Sequence, residues 1–341
     1  MRIKIEQLET ATAPESVLSE LAEYHDVLDA ENIPGDPPTP VAMRIAKWRH
    51  SFARFPEFRW ILREHGEIAA VGLVHYDVEE NLANGMGAVH VHPTRRGRGY
   101  ARLLATPVLD HLEEQGRTRF ETWIKRGHPA ESLAEGLGLK SVYQERRSRL
   151  LIAELDRGLM RSWVERAMER ASDYELLAME SPFPEDYLGK FCAMMEIMNT
   201  APTEDYEVDD ETITPETWRD IEDNVLKSQS QIHNLTVVHK PSGDFVGFTQ
   251  MKTQDLQPDL AWQWDTGVHP DHRNRGLGRW LKAAMIERII LEYPEVERVD
   301  THNAGSNEPM LNINIAMGFE AVLEENAWQG DLGTVRERLG A

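Results

Sequence analysis

Apolar residues follow two patterns along the chain. Short runs of alternating or mostly apolar residues, bounded by glycine- or proline-containing turns, predict antiparallel strands. These runs lie at residues 58–62, 68–76 and 86–91 in the first half, and at residues 235–239, 245–251 and 261–268 in the second. After each third run, apolar residues recur at helical spacing, which predicts a helix. Both halves therefore share one predicted order of elements.

The two halves also share sequence. Residues 91–104 read VHPTRRGRGYARLL and residues 268–281 read VHPDHRNRGLGRWL, with eight of fourteen positions identical. Farther along, GLGLKSV at 136–142 matches AMGFEAV at 316–322. Two blocks that keep their order and spacing indicate an internal duplication. We predict two domains of one α/β (α+β) fold, each with a twisted, mixed and mostly antiparallel sheet flanked by helices.

The predicted bounds are 1–155 for the N-terminal domain, 156–172 for a linker helix and 173–341 for the C-terminal domain. The linker prediction rests on an apolar stripe at helical spacing. Its members are Met160, Trp163, Val164, Ala167 and Met168. Segment 199–217 contains prolines and a run of acidic residues, which predicts a solvated loop.

Composition and charge narrow the possible partners. The only cysteine is Cys192, in an apolar stretch typical of a core, so we expect no disulfide, no metal site and a cytoplasmic location. The net charge is −21; residues 1–157 hold 21 basic and 24 acidic residues, and residues 158–341 hold 16 and 34. Such acidity disfavours a nucleic acid as the partner, because its phosphates would be repelled. No apolar run is long enough to predict a membrane helix. The acidity favours a cationic small partner, or it simply maintains solubility.

A glycine-rich turn follows the third strand of each half, at residues 96–101 and 273–278. Glycines let an anion approach the backbone, and the first amides of the following helix point toward it. The arginines add charge-assisted donors. The turn lacks the third glycine of the dinucleotide fingerprint and the Lys-Ser/Thr of a P-loop. It therefore predicts a pyrophosphate site, present once in each half.

The pattern R-x-x-G-x-[GA] between a strand and a helix resembles the acyl-CoA signature of the GNAT acyltransferases. It matches Arg96, Gly99 and Ala101 in the first half, and Arg273, Gly276 and Gly278 in the second. An asparagine, Asn307, that precedes Gly318-Phe319 by eleven residues resembles the second block of the family. The tandem arrangement is similar to that of the mycothiol synthase-like actinobacterial acetyltransferases.

This resemblance implies acetyl-CoA as the acyl donor and direct transfer to an amine. The pantetheine arm would lie between two splayed central strands, and the turn would hold the pyrophosphate. The residues implied to bind CoA are Val268, Arg273, Asn274, Arg275, Gly276, Leu277, Gly278, Asn303 and Asn307 in the second half, and Val91, Arg96, Gly97, Arg98, Gly99, Tyr100 and Ala101 in the first. A covalent tandem can take the place of the family's common dimer, so we expect a monomer.

The second half departs from the family at the position of the general base. Many relatives place a glutamate six residues before the valine that pairs with pantetheine, but here that position is Trp262. Asp265 and His302 are the candidates for removing the amine proton. Strand alternation puts Asp265 on the opposite face from Trp262 unless a bulge intervenes. Asp265 could equally bond a backbone N–H, and His302 could be a solvated surface residue.

A second departure concerns the group that faces the leaving sulfur. Many relatives have a tyrosine four residues before the Gly-Phe pair, and here that residue is Asn314. Asparagine can donate a hydrogen bond to sulfur but is no acid at neutral pH. In the first half, Ala134 and Gly127 stand at the positions of Asn314 and Asn307. The first half keeps the phosphate turn but lacks both of these side chains. It is therefore predicted to be degenerate, with CoA binding left open, and the second half is predicted to be catalytic.

These observations predict an acyl-CoA-dependent N-acyltransferase that acts on a small, cationic primary amine. Acidic residues concentrate in segment 180–233, including Glu204–Glu211, where an acceptor would enter. Two alternatives stay open. The chain could be a non-catalytic module that binds or senses acyl-CoA, or it could acetylate protein lysines or N-termini.

Overall fold

The computed structural model of the chain describes residues 3–50 and 52–340. The first half contains strands β1 (Ile3–Leu8), β2 (Glu57–Glu64), β3 (Glu67–His75), β4 (Asn84–Val91), β5 (Arg119–Lys125) and β6 (Lys140–Leu151), and helices α1 (Glu15–Asn32), α2 (Val41–Arg49), α3 (Tyr100–Glu114) and α4 (Ala130–Gly136). The second half contains β7 (Tyr174–Glu180), β8 (Ser230–His239), β9 (Asp244–Gln254), β10 (Leu260–Val268), β11 (Arg298–Ala304) and β12 (Glu320–Asp331), and helices α5 (Arg157–Arg170), α6 (Glu185–Met195), α7 (Pro215–Lys227), α8 (Leu277–Glu292), α9 (Glu308–Met317) and α10 (Leu332–Leu339).

The chain forms two compact units. Unit 1 comprises Met1–Glu145, Thr203–Asp209 and Leu323–Ala341. Unit 2 comprises Arg146–Pro202 and Asp210–Val322. Among the helices of the described residues, none has both the length and the apolar character that crossing a bilayer requires.

The sheet of unit 1 has the strand order β1-β2-β3-β4-β5-β12. Every neighbouring pair is antiparallel except β4 and β5, which are parallel. The core between the sheet and α3 contains Leu104, Val108 and Leu112, which recur on one face of that helix and are at most 2% exposed. Gly72 and Gly87 permit this close packing, because a Cβ at either would lie within 3.0 Å of a Val108 methyl group.

The sheet of unit 2 has the same order, β7-β8-β9-β10-β11, with β6 next to β11. Again the only parallel pair among β7–β11 is the central one, β10 with β11. Helix α8 covers one face with Leu281, Met285 and Ile289, and the opposite face packs against α6 and α7. The predicted mixed, mostly antiparallel sheet with flanking helices is confirmed in both units.

The last strand of each sheet comes from the other half of the sequence. Strand β12 pairs with β5 from Glu325↔Lys125 to Asp331↔Arg119 in unit 1, and β6 contributes its residues from Arg146 onward to unit 2. The compact units therefore cut across the bounds 1–155, 156–172 and 173–341, which remain predictions about the duplicated sequence.

The predicted linker helix corresponds to α5. Asp156 caps it by accepting a hydrogen bond from the Leu159 backbone N–H at 2.9 Å, as an N-cap aspartate commonly does. Met160, Trp163 and Ala167 are buried against the core beneath α8. Met168, the last predicted member of the apolar stripe, is 69% exposed because it lies off that face.

Candidate functional site

The parallel central strands of unit 2 separate after four paired residues. Strands β10 and β11 pair from Leu260↔Arg298 to Gln263↔Thr301. Both strands continue past this point, β10 to Val268 and β11 to Ala304. A gap therefore opens between them, and the β10 backbone along the gap can accept a partner in the manner of an added strand.

A β-bulge interrupts β10 at the start of this gap. Gln263 pairs with Met251 and Thr266 pairs with Thr249, so Trp264 and Asp265 together face a single residue of β9. Strict alternation of side chains therefore fails between Trp262 and Asp265, as expected for a bulge. Desolvation raises the pKa of Asp265, although the residue is solvent-exposed. Both observations fit a carboxylate that is surrounded by many protein atoms but still reached by water.

The glycine-rich turn of unit 2 joins the end of β10 to α8. Asn274 (φ 61°) and Gly276 (φ 82°) have left-handed backbone conformations, and Gly276 is the N-cap of α8. A Cβ placed on Gly276 would meet no atom within 4 Å. The first amides of a helix have no acceptor within it, so this open turn can hold an anion. The turn thus fits the phosphates of CoA.

Two arginines of this turn donate hydrogen bonds to uncharged groups. The Arg273 guanidinium donates to the Val268 carbonyl at 2.9 Å and to the Thr200 hydroxyl at 2.6 Å. Arg275 donates to the Asp271 carbonyl at 3.4 Å. Neither arginine forms an ion pair with a carboxylate in the described part of the chain. Their positive charges are therefore not compensated locally and can attract an anion.

The turn of unit 1 has the same backbone but different partners. Gly97 (φ 75°) and Gly99 (φ 80°) repeat the left-handed positions, and Arg96 donates to the Val91 carbonyl at 3.3 Å. Here, however, Glu31 accepts from the Arg96 guanidinium at 2.6 Å. Glu64, which is 2% exposed, accepts from Arg98 at 3.0 Å and also from Arg95. Carboxylates therefore balance the arginines of this turn.

Comparisons with known proteins agree with this geometry. Residues 21–139 and 192–319 each match the Acetyltransferase (GNAT) family. The chain belongs to the GNAT acetyltransferase family. A comparison with curated protein sequences gives no match.

Two solved GNAT structures cover nearly the whole chain. A tandem GNAT protein from the clavulanic acid biosynthesis pathway has a TM-score of 0.78 at 20% identity, covering 97% of this chain and 99% of its own. A GCN5-related N-acetyltransferase from Sphaerobacter thermophilus has a TM-score of 0.66 at 14% identity, covering 96% of each chain. At these identities the likeness concerns the fold alone.

The residues predicted to bind CoA occupy different environments in this GNAT fold. Residues 273–276 are exposed, whereas Leu277 is buried in the core and could offer only its backbone. Asn307 caps α9, its side chain accepting from the Met310 N–H at 3.3 Å. In the first copy Tyr100 is likewise buried, at 1% exposure. CoA contacts by all these residues remain predictions.

The three predicted catalytic residues lie around the gap between β10 and β11, on three different elements. Asp265 lies in the bulge of β10. His302 is on β11, stacked on Trp262 with ring centroids 5.6 Å apart. Asn314, on α9, donates to the Asn303 side chain of β11 at 2.5 Å. The roles of all three remain predictions.

Sequence reasoning missed an ionic cluster beside His302. Asp300 is completely buried and accepts hydrogen bonds from Arg147 at 2.9 Å and from Arg149 at 2.7 Å. Arg147 also lies over the Trp262 ring, 4.9 Å from its centroid. Arg147 and Arg149 come from β6, far away in sequence, so no local pattern could have identified the cluster.

The acidic run is only partly a solvated loop. Its carboxylates are exposed, but residues 203–209 pack on unit 1. The Tyr206 hydroxyl donates to Glu121 at 2.9 Å, and the Asn84 amide donates to the Glu207 carbonyl at 2.9 Å. Because Glu121 is the last residue of β5 that pairs with β4, this segment borders the gap between β4 and β5. Sequence analysis missed these long-range partners.

One cluster has the residue types of a metal site. Glu180, His233 and Glu292 bring their ligand atoms within 4.8 Å of one another. The Arg288 guanidinium bonds both carboxylates, at 3.0 Å in the case of Glu292. A guanidinium therefore already supplies the positive charge that the two carboxylates require.

Proposed function

We propose that unit 2 is an acyl-CoA-dependent N-acyltransferase that transfers an acetyl group directly to a small, cationic primary amine. The observation that carries the proposal is the coincidence of an open, uncompensated cationic turn with a bulged, splayed strand pair. Residues 273–278 would hold the pyrophosphate. The backbone from Trp264 to Val268 would pair with the pantetheine arm.

In this proposal Asp265 removes the proton from the attacking amine. A protonated amine cannot attack, because its nitrogen lone pair carries the proton. A carboxylate with a raised pKa is a stronger base, so the environment of Asp265 suits that task. His302 is the second candidate and would act from the other wall of the gap. The single cysteine, Cys192, is buried, which agrees with direct transfer without an enzyme nucleophile.

The cationic acceptor is supported by the charge of the second half, where acidic residues outnumber basic residues by 34 to 16 after residue 157. The acidic segment is divided, since residues 203–209 belong to unit 1. Glu222 is buried and bonds Arg219. Glu216 and Asp220 remain exposed on α7 and can attract a cation to unit 2. The chain has a single cysteine and so no internal disulfide, which accords with a cytoplasmic location. We also propose a monomer, because the covalent tandem can take the place of the family's common dimer.

The test is release of free thiol from acetyl-CoA by the full-length protein with a panel of amines. Polyamines and aminoglycosides should be accepted better than amino acids that carry a free carboxylate. Added salt should raise the KM of a cationic acceptor, because screening weakens the attraction. Calorimetric binding of acetyl-CoA without amine-dependent thiol release across the panel would instead support a non-catalytic acyl-CoA-binding module. That alternative is supported by Trp262 and Asn314, which stand where many relatives have a glutamate base and a tyrosine acid.

A further inference from the structure

A lysine lies in the core of unit 2. Lys282 stands on α8 and is 1% exposed, with its Nζ atom 5.4 Å from the centroid of the Phe319 ring. It faces α9 together with Gly278, one helical turn earlier, where a Cβ would lie 3.5 Å from Ile313. Burying an ammonium group costs free energy, so a lysine at this position requires a compensating role.

Lys282 is held by amides rather than by an acid. Its Nζ donates to Asn314 Oδ1 at 2.5 Å, and Asn314 Nδ2 donates to Asn303 Oδ1 at 2.5 Å. Within the described residues, no carboxylate forms an ion pair with Lys282. The groups that face Lys282 from α9 and from the segment after it are Asn314 and Phe319, and neither titrates.

The chain of hydrogen bonds ends at the gap. Asn303 lies two residues beyond Thr301, the last residue of β11 that pairs with β10. Asn303 is therefore on the wall of the opening between the two strands. Asn314 is itself 2% exposed. Hydrogen bonds to Lys282 and to Asn303 fix its amide from both sides.

The internal duplication provides a comparison for this pair. At the offsets that align the two copies, Lys282 corresponds to Ala105 and Asn314 corresponds to Ala134. Both members of the pair are thus absent from the copy whose turn arginines are balanced by carboxylates. The lysine and the asparagine accompany the open anion site, whereas the shared fold is formed without them.

We propose that Lys282 is a positioning residue that holds the Asn314 amide at the gap and places a positive charge behind it, so that the pair stabilises the departing CoA thiolate. This inference rests on the proposed function. During transfer, the amine nitrogen bonds the acyl carbon and the carbon–sulfur bond breaks. The electron pair stays on sulfur, and the amine proton passes to Asp265 or to water. Lys282 keeps its protons and contributes only charge and orientation.

The environment of Lys282 suits this role. Desolvation lowers its pKa to about 7, so part of the population is uncharged at neutral pH. An anion in the gap would favour the protonated form, since an opposite charge nearby raises the pKa of an ammonium group. The charged form of Lys282 would therefore be the one that accompanies a thiolate in the gap.

The experiment measures the acidity of the CoA thiol bound to the full-length protein. Thiolate absorbance in the ultraviolet is titrated against pH for CoA in complex, with desulfo-CoA as the blank. In the wild-type complex the thiol pKa should lie at least one unit below that of free CoA, a tenfold change in the equilibrium. Lys282→Met and Lys282→Gln should both return it to the free value, because neither carries a charge. Ala105→Met in the first copy serves as the matched control and should leave it unchanged.

Two further readouts separate this role from a structural one. Lys282→Met should lower kcat by tenfold or more while the calorimetric Kd for acetyl-CoA stays constant. The same variant should keep or raise the Tm, because an apolar side chain replaces a buried charge. A lowered Tm with an unshifted thiol pKa would show that Lys282 is structural and overturn the inference. Failure of the wild-type protein to bind CoA would overturn the proposed function and this inference with it.

Discussion

The turns at residues 96–101 and 273–278 share their backbone and differ in their surroundings. The arginine that begins each turn bonds the carbonyl at the end of the preceding strand. In unit 1 its outer nitrogens meet Glu31, whereas in unit 2 an outer nitrogen meets the Thr200 hydroxyl. The signature motif thus specifies the shape of the turn. Its charge depends on residues that are distant in sequence.

The two copies also differ in the strand that precedes the turn. Strand β4 pairs with β3 without interruption from Ala70↔Val91 to His75↔Met86, whereas β10 carries the bulge that contains Asp265. The residue aligned with Asp265 in the first copy is Ala88. Bulges often occur beside active sites, where they redirect a side chain. The difference shows that the same strand order can form in a GNAT domain with or without this bulge.

The largest expected effect follows from the bulge. Asp265→Asn should reduce kcat by ~100-fold or more, the usual contribution of a general base. Wild-type kcat/KM should fall as pH drops through the raised pKa of Asp265, since the protonated carboxyl cannot accept a proton. The measurement is steady-state kinetics across pH with an accepted amine.

His302→Gln is the comparison variant for that prediction, and it should have a smaller effect. A greater loss in His302→Gln than in Asp265→Asn would assign the base to β11 instead of β10. Ala88→Asp in the first copy should create no activity, because β4 lacks the bulge.

The second prediction concerns the two glycine N-caps. Gly276→Val should weaken acetyl-CoA binding by about tenfold or more, equivalent to about 1.4 kcal/mol. Valine would put a branched side chain into the open space of the turn and would disfavour its left-handed backbone. Gly99→Val imposes the same backbone strain in unit 1, at φ 80° instead of 82°. Because its arginines are already balanced, Gly99→Val should leave the affinity unchanged.

Calorimetry on full-length protein measures both glycine variants. The sequence alone predicts a site in each half, but the carboxylates that bond the turn arginines of unit 1 lead us to expect one CoA per wild-type chain. Two equivalent sites, or equal losses in both variants, would mean that the carboxylates of unit 1 do not prevent binding.

The third prediction exchanges the partners of the turn arginines. Thr200→Glu places a carboxylate beside Arg273 and should weaken CoA binding several-fold at low salt, whereas Thr200→Gln should not. Glu31→Gln combined with Glu64→Gln should expose positive charge in unit 1 and create a second, weaker CoA site. Calorimetric stoichiometry reports both changes, and circular dichroism checks that the variants fold. An unchanged stoichiometry in the folded double variant would contradict the electrostatic explanation.

The last prediction concerns stability rather than activity. Lys282 has a folded-state pKa of about 7, below the ~10.4 of an unfolded lysine. Between these values the unfolded state binds more protons, so the free energy of unfolding should rise with pH. Each unit of pKa difference corresponds to about 1.4 kcal/mol. In chemical denaturation, the free energy of unfolding of Lys282→Met should not show this rise between pH 7 and 10. The free energy of unfolding of Ala105→Met should still show it.

The sequence was sufficient for features whose causes are local. The duplication, the strand-turn-helix order and the positions of the glycines follow from neighbouring residues, and the family comparison confirms the GNAT fold. Glycines at left-handed positions and a proline-bounded strand end leave clear signals in a single sequence. Asn307 was singled out by its resemblance to the second block of the family, and in the structure it is the N-cap of α9.

Long-range partners were not predictable in this way. Glu31 and Glu64 lie 65 and 34 residues before the arginines they bond, and nothing in their own neighbourhoods marks them. The exchange of β6 and β12 depends on which sheet edge each strand reaches, which alternation of side chains does not specify. Lys282 did leave a signal, as a lysine among the apolar residues Trp280, Leu281 and Ala283, and that signal was overlooked.

The exchanged strand has a consequence for synthesis of the protein on the ribosome. Unit 1 cannot complete its sheet until Leu323 and the residues after it have been made, although its other strands end by Lys125. At 5–20 residues per second, translation of the intervening chain takes roughly ten to forty seconds. During that interval the nascent unit exposes the bonding edge of β5. Until β12 arrives, that edge can pair with a strand of another chain, so the newly made first half is prone to aggregation.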